Sequence, residues 1–302
     1  LDEVPDWVGI LPDAVLDDTA PLFAVCALLC FGQMFMLGTR LALYSILLIA
    51  GGMALVLALC REKRAVWYLV LLAAMVGTVA LYKVSPNHAY ALSHEKVAAE
   101  RQQWVDSVFE DVEPAKSFDA MTPAQKDAYE TVYSAYLGGL VDRYGLERAL
   151  NAYDYTLDPE VLNNNRTKKL IFCAFAWSES GTLAHLFGMR YEELLVGEEV
   201  FDPENDFNAL LYTAGYVGTG LYVLFLLYFA LLILKGLVTD FKGVFTVEAG
   251  AVGITLCLIL GAAQFSGNVL RLPNVSSFLS LMLAYAYWLT AGTRGVRLFE
   301  KK

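Results

Sequence analysis

The stretch DPENDFNALLYTAGYVG, residues 202–218, joins an acidic polar segment directly to a long apolar one. Its three carboxylates, Asp202, Glu204 and Asp206, stand immediately before the apolar run. The apolar run, residues 209–234, is long enough to cross a lipid bilayer as a helix. The carboxylates are therefore predicted to lie at a membrane surface. Asp206 and Asn208 are both candidates for the N-cap of that helix, because their side-chain oxygens accept hydrogen bonds from free backbone amides.

Hydrophobic residues make up 57% of the 302-residue chain, charged residues make up 18%, and the mean hydropathy is +0.48. These values lie outside the range of ordinary soluble domains and indicate an integral membrane protein. Six apolar segments have about the length that a bilayer core requires. They are residues 21–37, 41–59, 65–83, 209–234, 245–265 and 275–292. The sequence therefore predicts an all-α membrane protein with six transmembrane helices in two groups of three.

The two groups of predicted spans, within 21–84 and 209–302, are separated by a polar region at 85–208. This region carries 22 acidic and 10 basic residues, a net charge of -12, whereas the whole chain has a net charge of -10. Outside this region, six spans would place three clusters of Lys and Arg on one face of the membrane. Those residues are Arg61, Lys63, Arg64, Lys235, Lys242, Arg294, Arg297, Lys301 and Lys302. Because cytoplasmic connections hold an excess of Lys and Arg, that face is predicted to be cytoplasmic and 85–208 to be extracytoplasmic.

Residues 1–20 form an N-terminal segment with six acidic residues and no basic residue. The predicted topology places this segment in the cytoplasm, which is acceptable because acidic residues contribute little to orientation. No basic region or signal-peptide pattern follows Leu1, so we expect the chain to be a fragment or a processed product. Only one of the five cysteines, Cys173, lies in the polar region, so neither a disulfide framework nor a zinc site is predicted.

The polar region is predicted to form a helical lid of two or three helices. A first helix, capped by Ser93, is expected to run to about residue 109. Residues Thr122–Gln125 read Thr-Pro-Ala-Gln, which is a capping box with Pro at the first helical position. Tyrosines then recur at helical spacing, at Tyr129, Tyr133 and Tyr136. Such a stripe indicates a packed face more strongly than a platform for stacking sugars.

Arg40 follows Gly38 and Thr39 and stands directly before an apolar segment. A guanidinium at this depth is energetically costly unless it has a partner. Two interpretations stay open on position alone. The side chain is either an interfacial anchor that reaches to the lipid headgroups or a functional group that faces the protein interior.

A second arginine, Arg166, opens a helix-like run that contains the aromatic stretch Phe175–Trp177. The simplest interpretation of this arginine is a solvated turn with charge pairs of little energetic value. Further along the chain, His185 precedes Gly188 and Arg190 follows it. These residues lead directly into the carboxylate-rich stretch.

In chain order, these features are Arg40 in its Gly-Thr-Arg motif, Arg166 before an aromatic-rich helix, Gly188, and the Leu-Leu-x-x-x-Gly-x-x-Gly pattern of 202–218. Together with the predicted topology, this order resembles the carboxyl-terminal half of the O-antigen ligase and surface polysaccharide polymerase superfamily over nearly the whole chain. Many of these ligases carry His where this chain has Glu204–Asp206, so the identity of the general base stays open. Polymerases and ligases share the motif order, and both activities stay open as well.

The resemblance implies glycosyl transfer from a polyprenyl-pyrophosphate-linked glycan to a hydroxyl of a saccharide or lipid-linked saccharide acceptor, on the outer face of the bacterial cytoplasmic membrane. It implies no cofactor, no metal and no nucleic-acid partner. Guanidinium groups would stabilise the charge on the departing pyrophosphate, and a general base would accept the proton of the hydroxyl. The candidates for pyrophosphate binding are Arg40, Arg166 and Arg190. The candidates for the base are Glu204 and Asp206, followed by His185.

Two other functions compete with this one. A membrane transporter or channel is disfavoured because the predicted spans lack intramembrane charges and broken helices. A non-catalytic, membrane-anchored glycan-binding module is the other alternative. Asp202, Glu204 and Asp206 also offer three oxygen donors to Ca²⁺ or Mg²⁺. The local sequence holds no complete ligand set, so helix capping combined with base function is favoured.

Overall fold

The computed structural model describes residues 13–37, 39–63 and 65–292, with side chains described from residue 21 onward. In these ranges the chain is predominantly helical. The helices are α1 (Asp13–Met36), α2 (Arg40–Leu59), α3 (Ala65–Ala80), α4 (Pro86–Val108), α5 (Pro123–Tyr144), α6 (Leu146–Ala152), α7 (Pro159–Leu162), α8 (Asn165–Glu179), α9 (Thr182–Phe187), α10 (Asp206–Thr239), α11 (Phe241–Val244), α12 (Val247–Phe265) and α13 (Pro273–Thr290). Short 3₁₀ turns occur at Tyr82–Val84 and Tyr191–Leu194, and β1 (Leu195–Val196) pairs antiparallel with β2 (Glu199–Val200).

Helices stand at all six predicted apolar segments, namely α1, α2, α3, α10, α12 and α13. Within the described ranges, α2, α10 and α12 are long and apolar enough to cross a bilayer, and Pro21–Met36 and Ala65–Ala80 are shorter apolar helices. Large apolar side chains of α10, such as Leu221 and Leu224, face outward with 65% and 63% of their surface exposed. A helix that is apolar all round belongs in a core or in lipid. The prediction of an all-α membrane protein is confirmed.

The chain divides into two compact units. The first unit contains the described residues up to 92 together with 240–255. Its core lies where α2 and α3 pack together, around the fully buried Ile46 and Ala50. The second unit contains 93–239 and the described residues from 256 onward, and therefore includes α5 to α10 and α13.

The polar region, which the structure describes throughout, contains six helices, α4 to α9, rather than the two or three expected. The predicted cap of its first helix is also wrong, because α4 begins at Pro86 and Ser93 lies inside it. Ser85 is the capping residue, and its Oγ accepts a hydrogen bond from the backbone N–H of His88 at 3.1 Å. Proline is pre-organised for the first helical position, which explains the earlier start.

The predicted capping box and tyrosine stripe are confirmed in α5. The backbone N–H of Thr122 donates to Oε1 of Gln125 at 2.8 Å, and the backbone N–H of Gln125 donates to Oγ1 of Thr122 at 3.3 Å. Tyr129 and Tyr133 are fully buried and donate their hydroxyl protons to backbone carbonyls. Tyr136 packs its ring edge-on against Trp104 in the same core. The stripe therefore forms the core of the polar region and not a sugar-binding platform.

Several predicted features lie outside the described residues. They are residues 1–12 of the N-terminal segment, Gly38, Arg64 and the basic tail with Arg294, Arg297, Lys301 and Lys302. The six-span topology and the side of the membrane that holds 85–208 stay predictions.

Candidate functional site

The N-terminus of α10 is capped by Asn205, and not by the predicted Asp206 or Asn208. Oδ1 of Asn205 accepts hydrogen bonds from the backbone N–H groups of Phe207 and Asn208, both at 3.1 Å. Its Nδ2 donates to the carbonyl of Gln264 near the end of α12. One side chain thus satisfies two free amides of α10 and joins the start of α10 to the end of α12.

Asp206 is completely buried and fully occupied by donors. Its carboxylate accepts backbone hydrogen bonds from Asn268 at 2.9 Å, Val269 at 2.6 Å and Leu270 at 2.9 Å. Nε of Arg271 donates a fourth hydrogen bond at 3.2 Å. A carboxylate has about four acceptor positions, and all of them are used here. The expectation that Asp206 is a general base therefore does not fit its surroundings, which give it a structural role.

Arg271, which the sequence did not single out, links both ends of the carboxylate stretch. Its Nη1 donates to both oxygens of Asp202 at 2.7 Å, and its Nη2 donates to the carbonyl of Pro203 at 2.8 Å. Burial alone would lower the pKa of Arg271, but its hydrogen bonds and charge interactions with Asp202 and Asp206 raise that pKa above the ordinary value. The guanidinium therefore stays charged and holds residues 202–206 against the loop between α12 and α13.

Gly267 allows this loop to approach the carboxylate stretch. Its φ of +72° lies in the left-handed region, which favours glycine. A Cβ atom at this position would lie 1.1 Å from the carbonyl oxygen of Glu204. The backbone of the loop therefore packs directly on the backbone that carries Glu204.

Gly267→Ala is expected to disrupt this loop, because the added methyl group cannot coexist with the Glu204 carbonyl and the left-handed backbone alone costs about 1–2 kcal/mol. Thermal unfolding of the detergent-solubilised protein and the yield of monodisperse protein would measure the loss. Gly261→Ala in α12 is the matched control, because nothing lies within 4 Å of a Cβ atom there. Equal stability of the two variants would contradict the observed packing.

Glu204 lies beside two cations from the start of α8. Its Oε2 accepts from Nε of Arg166 at 2.9 Å, and its Oε1 accepts from Nζ of Lys169 at 3.3 Å. Asn164 caps α8, and its Oδ1 accepts from the backbone N–H of Arg166 at 3.1 Å. Nη1 of Arg166 donates to the carbonyl of Phe265 at 2.7 Å. The Arg166 side chain is 59% exposed, so the pair adds little stability, but it holds a guanidinium and a carboxylate within reach of one another.

A cavity of about 200 Å³ opens beside this pair. Arg166 and Glu204 lie on its wall, and the other lining side chains are neutral amides, hydroxyls or apolar groups. They are Thr167, Leu170, Pro203, Asn205, Asn208, Gln264, Phe265 and Ser266. The cavity therefore combines a cation, a carboxylate and neutral hydrogen-bonding groups at the start of a candidate membrane span. We call it the Glu204 cavity.

The thiol of Cys173 is buried close to this site, which disfavours it as a nucleophile. Its Sγ–H donates to the carbonyl of Phe201 at 2.9 Å. Burial raises the pKa of the thiol to about 12, and the nearby Asp202 carboxylate contributes to the rise. The reactive thiolate form is therefore suppressed near neutral pH.

The sequence profile of the family described as O-antigen ligase like membrane protein matches residues 20–289. The chain belongs to this family. The match covers most of the chain and confirms the resemblance inferred from motif order. No curated protein and no solved structure matches the chain. Membership indicates a membrane protein that takes part in glycan processing, and it suggests a glycosyl-transferring enzyme.

His185 of this O-antigen ligase-like protein lies on α9 and not on the wall of the Glu204 cavity. Its Nε2–H donates to the carbonyl of Trp177 at 2.8 Å, because a carbonyl only accepts. The imidazole ring packs against Trp177, with ring centroids 4.6 Å apart. Nδ1 is then the nitrogen that is left to accept a proton in the neutral ring.

Arg190, the third arginine predicted from the family resemblance, lies directly before the 3₁₀ turn at Tyr191–Leu194. Its side chain is 83% exposed, and its Nε lies 4.0 Å from Oε1 of Glu193. The structure brings Arg166 together with Glu204, but it gives Arg190 only this peripheral ion pair among the described residues.

Arg40 is the first residue of α2 in the other unit. Thr39 caps this helix, and its Oγ1 accepts from the backbone N–H of Ala42 at 3.2 Å. Arg40 lines a cavity of about 450 Å³ that also includes Thr78 and Tyr82. Within the described ranges, its guanidinium makes no hydrogen bond or ion pair. At a helix N-terminus, the arginine charge and the positive end of the helix dipole lie close together and repel each other. A bound anion would be attracted by both.

The three carboxylates that could have held a divalent cation are divided between different partners. Asp202 and Asp206 pair with Arg271, whereas Glu204 pairs with Arg166 and Lys169. Among the described residues, no group of three or more His, Cys, Asp or Glu side chains is placed to hold a metal ion. The carboxylate stretch therefore pairs with arginine and lysine side chains in this structure.

Proposed function

We propose that this protein transfers a glycan from a polyprenyl-pyrophosphate-linked donor to the hydroxyl of a saccharide or lipid-linked saccharide acceptor. The observation that carries the proposal is the Arg166–Glu204 pair, 2.9 Å apart on the wall of a cavity at the start of α10. The proposal includes six membrane spans, with 85–208 on the outer face of the bacterial cytoplasmic membrane. It assigns no metal to the reaction.

In the proposed reaction, the acceptor oxygen attacks the anomeric carbon of the donor glycan. The bond from this carbon to the phosphate oxygen breaks, and the electron pair leaves with the polyprenyl pyrophosphate. The acceptor proton passes to Glu204, which acts as the general base. Arg166 donates hydrogen bonds to the pyrophosphate oxygens, on which negative charge grows.

Donor binding and base activation are linked in this arrangement. In the observed state, Arg166 occupies Oε2 of Glu204. A pyrophosphate carries more negative charge than a carboxylate and competes for the same guanidinium. When the donor attracts Arg166, Oε2 becomes free to accept a proton, while Lys169 still holds Oε1 in place. Glu204 would therefore become an effective base only when donor is present.

The other predicted residues are assigned separate roles in the proposal. Arg40 binds a phosphate group in its own cavity, where the α2 N-terminus adds to the attraction. His185 is the second candidate for the base through Nδ1. Arg190 is the weakest of the proposed phosphate ligands, because it is highly exposed and only loosely paired.

Complementation of a deletion strain would test the proposed function in cells. The wild-type gene is expected to restore the surface glycan, and the deletion alone is expected to accumulate the polyprenyl-linked donor on the outer face of the membrane. Accumulation of the donor on the inner face would instead indicate a transporter. An unchanged glycan profile in the deletion strain would contradict the proposal.

Arg40→Lys is expected to abolish most glycan transfer while the protein stays folded. Lysine keeps the positive charge but loses the planar fork that grips two phosphate oxygens, so the two side chains are not equivalent at such a site. If Arg40 were only an interfacial anchor, lysine would reach the headgroups equally well and activity would persist. Glycan profiles of the complemented strain measure the effect. Arg61→Lys, in the connection between α2 and α3, is the matched control and should keep wild-type activity.

A further inference from the structure

Helix α9 turns its histidine toward the protein and its large apolar side chains outward. This is the reverse of the arrangement in a helix that borders water. The histidine of α9, His185, faces the protein and donates to the carbonyl of Trp177. Ala184 packs into the small core around the same tryptophan. Three large apolar side chains at helical spacing face outward, namely Leu183 (74% exposed), Leu186 (37%) and Phe187 (63%). A helix that borders water turns its apolar stripe toward the core, so the outer face of α9 is suited to an apolar surrounding.

Two glycines attach α9 to the start of α10 through direct backbone contact. Gly215 breaks the helical geometry of α10 with a φ of +67°, and a Cβ atom there would lie 2.4 Å from the carbonyl carbon of Leu186. Gly188 has a φ of +99°, and a Cβ atom there would lie 2.0 Å from the carbonyl oxygen of Thr213. Side chains larger than hydrogen are excluded at both contacts. The depth of α9 is therefore fixed relative to the kink in α10.

The kink divides α10 into an initial part and a part that can cross the membrane. The helix has 34 residues, whereas about 20 residues span a bilayer core. The portion after Gly215 is long enough by itself, so the kink lies near the membrane boundary. Beyond the kink, this portion of α10 carries exposed apolar side chains of its own. They are Tyr216 (57% exposed), Val217 (41%) and Leu221 (65%).

We propose that α9 lies in the interface of the bilayer, with the face formed by Leu183, Leu186 and Phe187 among the lipid acyl chains. The occupant of this face is the lipid of the host membrane, because the backbone at Leu186 and Phe187 lies against Gly215, directly before the apolar portion of a candidate span. Tyr191, 61% exposed directly after α9, then stands at headgroup level, where tyrosine is favoured. This inference concerns the position of α9 and does not depend on the reaction that the protein catalyses.

Fluorescence quenching in lipid nanodiscs would test the position of α9. Cysteine is introduced singly at Leu183 or Phe187 and labelled with an environment-sensitive dye. Cys26, Cys30, Cys60 and Cys257 are replaced first, whereas Cys173 is kept because it is buried and its raised thiol pKa suppresses labelling. The nanodiscs contain phosphatidylethanolamine, phosphatidylglycerol and a phosphatidylcholine with a nitroxide near the headgroup end of one acyl chain.

Leu221→Cys on α10 is the control for a lipid-facing position, and Ser134→Cys, exposed on α5, is the control for a water-facing position. Dyes at 183 and 187 are expected to lose most of their emission to the lipid nitroxide, as at 221, and to resist iodide in the buffer. Quenching by iodide and not by the nitroxide, as expected at 134, would overturn the proposal. Protection from both quenchers would also overturn it, because a protein surface would then cover α9.

Discussion

Glu204→Gln is expected to lower the rate of glycan transfer by about 100-fold or more, which is the usual contribution of a general base. Glutamine has the size of glutamate, and its amide oxygen still accepts a hydrogen bond from Arg166 or Lys169. It cannot take up the proton of an acceptor hydroxyl. Because the observed ion pairs are partly exposed, their loss should change stability only slightly. The loss of activity should therefore occur in a folded protein.

Glu199→Gln is the matched control for this experiment. Glu199 also pairs with a lysine of α8, since Nζ of Lys168 lies 2.9 Å from its Oε1. It does not line the Glu204 cavity. The control should retain nearly full activity, and both variants should elute as the wild type does. Full activity of Glu204→Gln would assign the proton transfer to another group, and His185→Gln would be the next variant to examine.

Asp206→Ala is expected to cause the largest loss of stability of any single substitution in the carboxylate stretch, about 3–5 kcal/mol. The substitution removes the acceptor of three backbone N–H groups and leaves the charge of Arg271 less compensated. Thermal unfolding in detergent and proteolysis of the loop between α12 and α13 would measure the effect. The loop should become sensitive to protease in this variant.

Asp202→Ala is the appropriate comparison, because this carboxylate binds the same Arg271 but is 38% exposed. Asp202→Ala should lower the stability less than Asp206→Ala does, since water can replace the Asp202 carboxylate as the acceptor. A Tm for Asp206→Ala equal to that for Asp202→Ala would contradict the structural role of Asp206. Asp206 and Glu204 are two residues apart and share one motif, yet one substitution should act mainly on stability and the other mainly on activity.

The positions of the membrane helices could be predicted because they depend on local properties of the chain. An apolar run of sufficient length becomes a helix in lipid wherever it occurs. The capping box at Thr122 was predictable for a similar reason, because its two hydrogen bonds join residues three apart. The start of α4 differs from the prediction because Ser85 and Ser93 are both suitable caps, and only Ser85 is followed by a proline at the first helical position.

The candidate site could be predicted only in part, because its contacts join distant segments. The motif order made Arg166 and Glu204 candidates, but the sequence did not indicate that they form a pair across 38 positions. From the sequence, Asp206 and Glu204 are equally good candidates for the base. They differ in how deeply they are buried, and that depends on the loop at 266–271. Arg271 carried a usable signal. It is the arginine between the last two apolar segments, where a charge needs a partner, and the carboxylates at 202–206 are predicted to lie on the same side of the membrane.

Cleavage of a polyprenyl-pyrophosphate-linked oligosaccharide by the purified full chain in proteoliposomes is the most direct test of the proposed reaction. The substrate is labelled in both the glycan and the lipid, and a saccharide fraction from the source strain serves as acceptor. We expect the wild type to release polyprenyl pyrophosphate in step with glycan joined to the acceptor, and Glu204→Gln to do so about 100-fold more slowly. Movement of intact donor across the bilayer, or release at the same rate by wild type and Glu204→Gln, would contradict glycosyl transfer with Glu204 as the base.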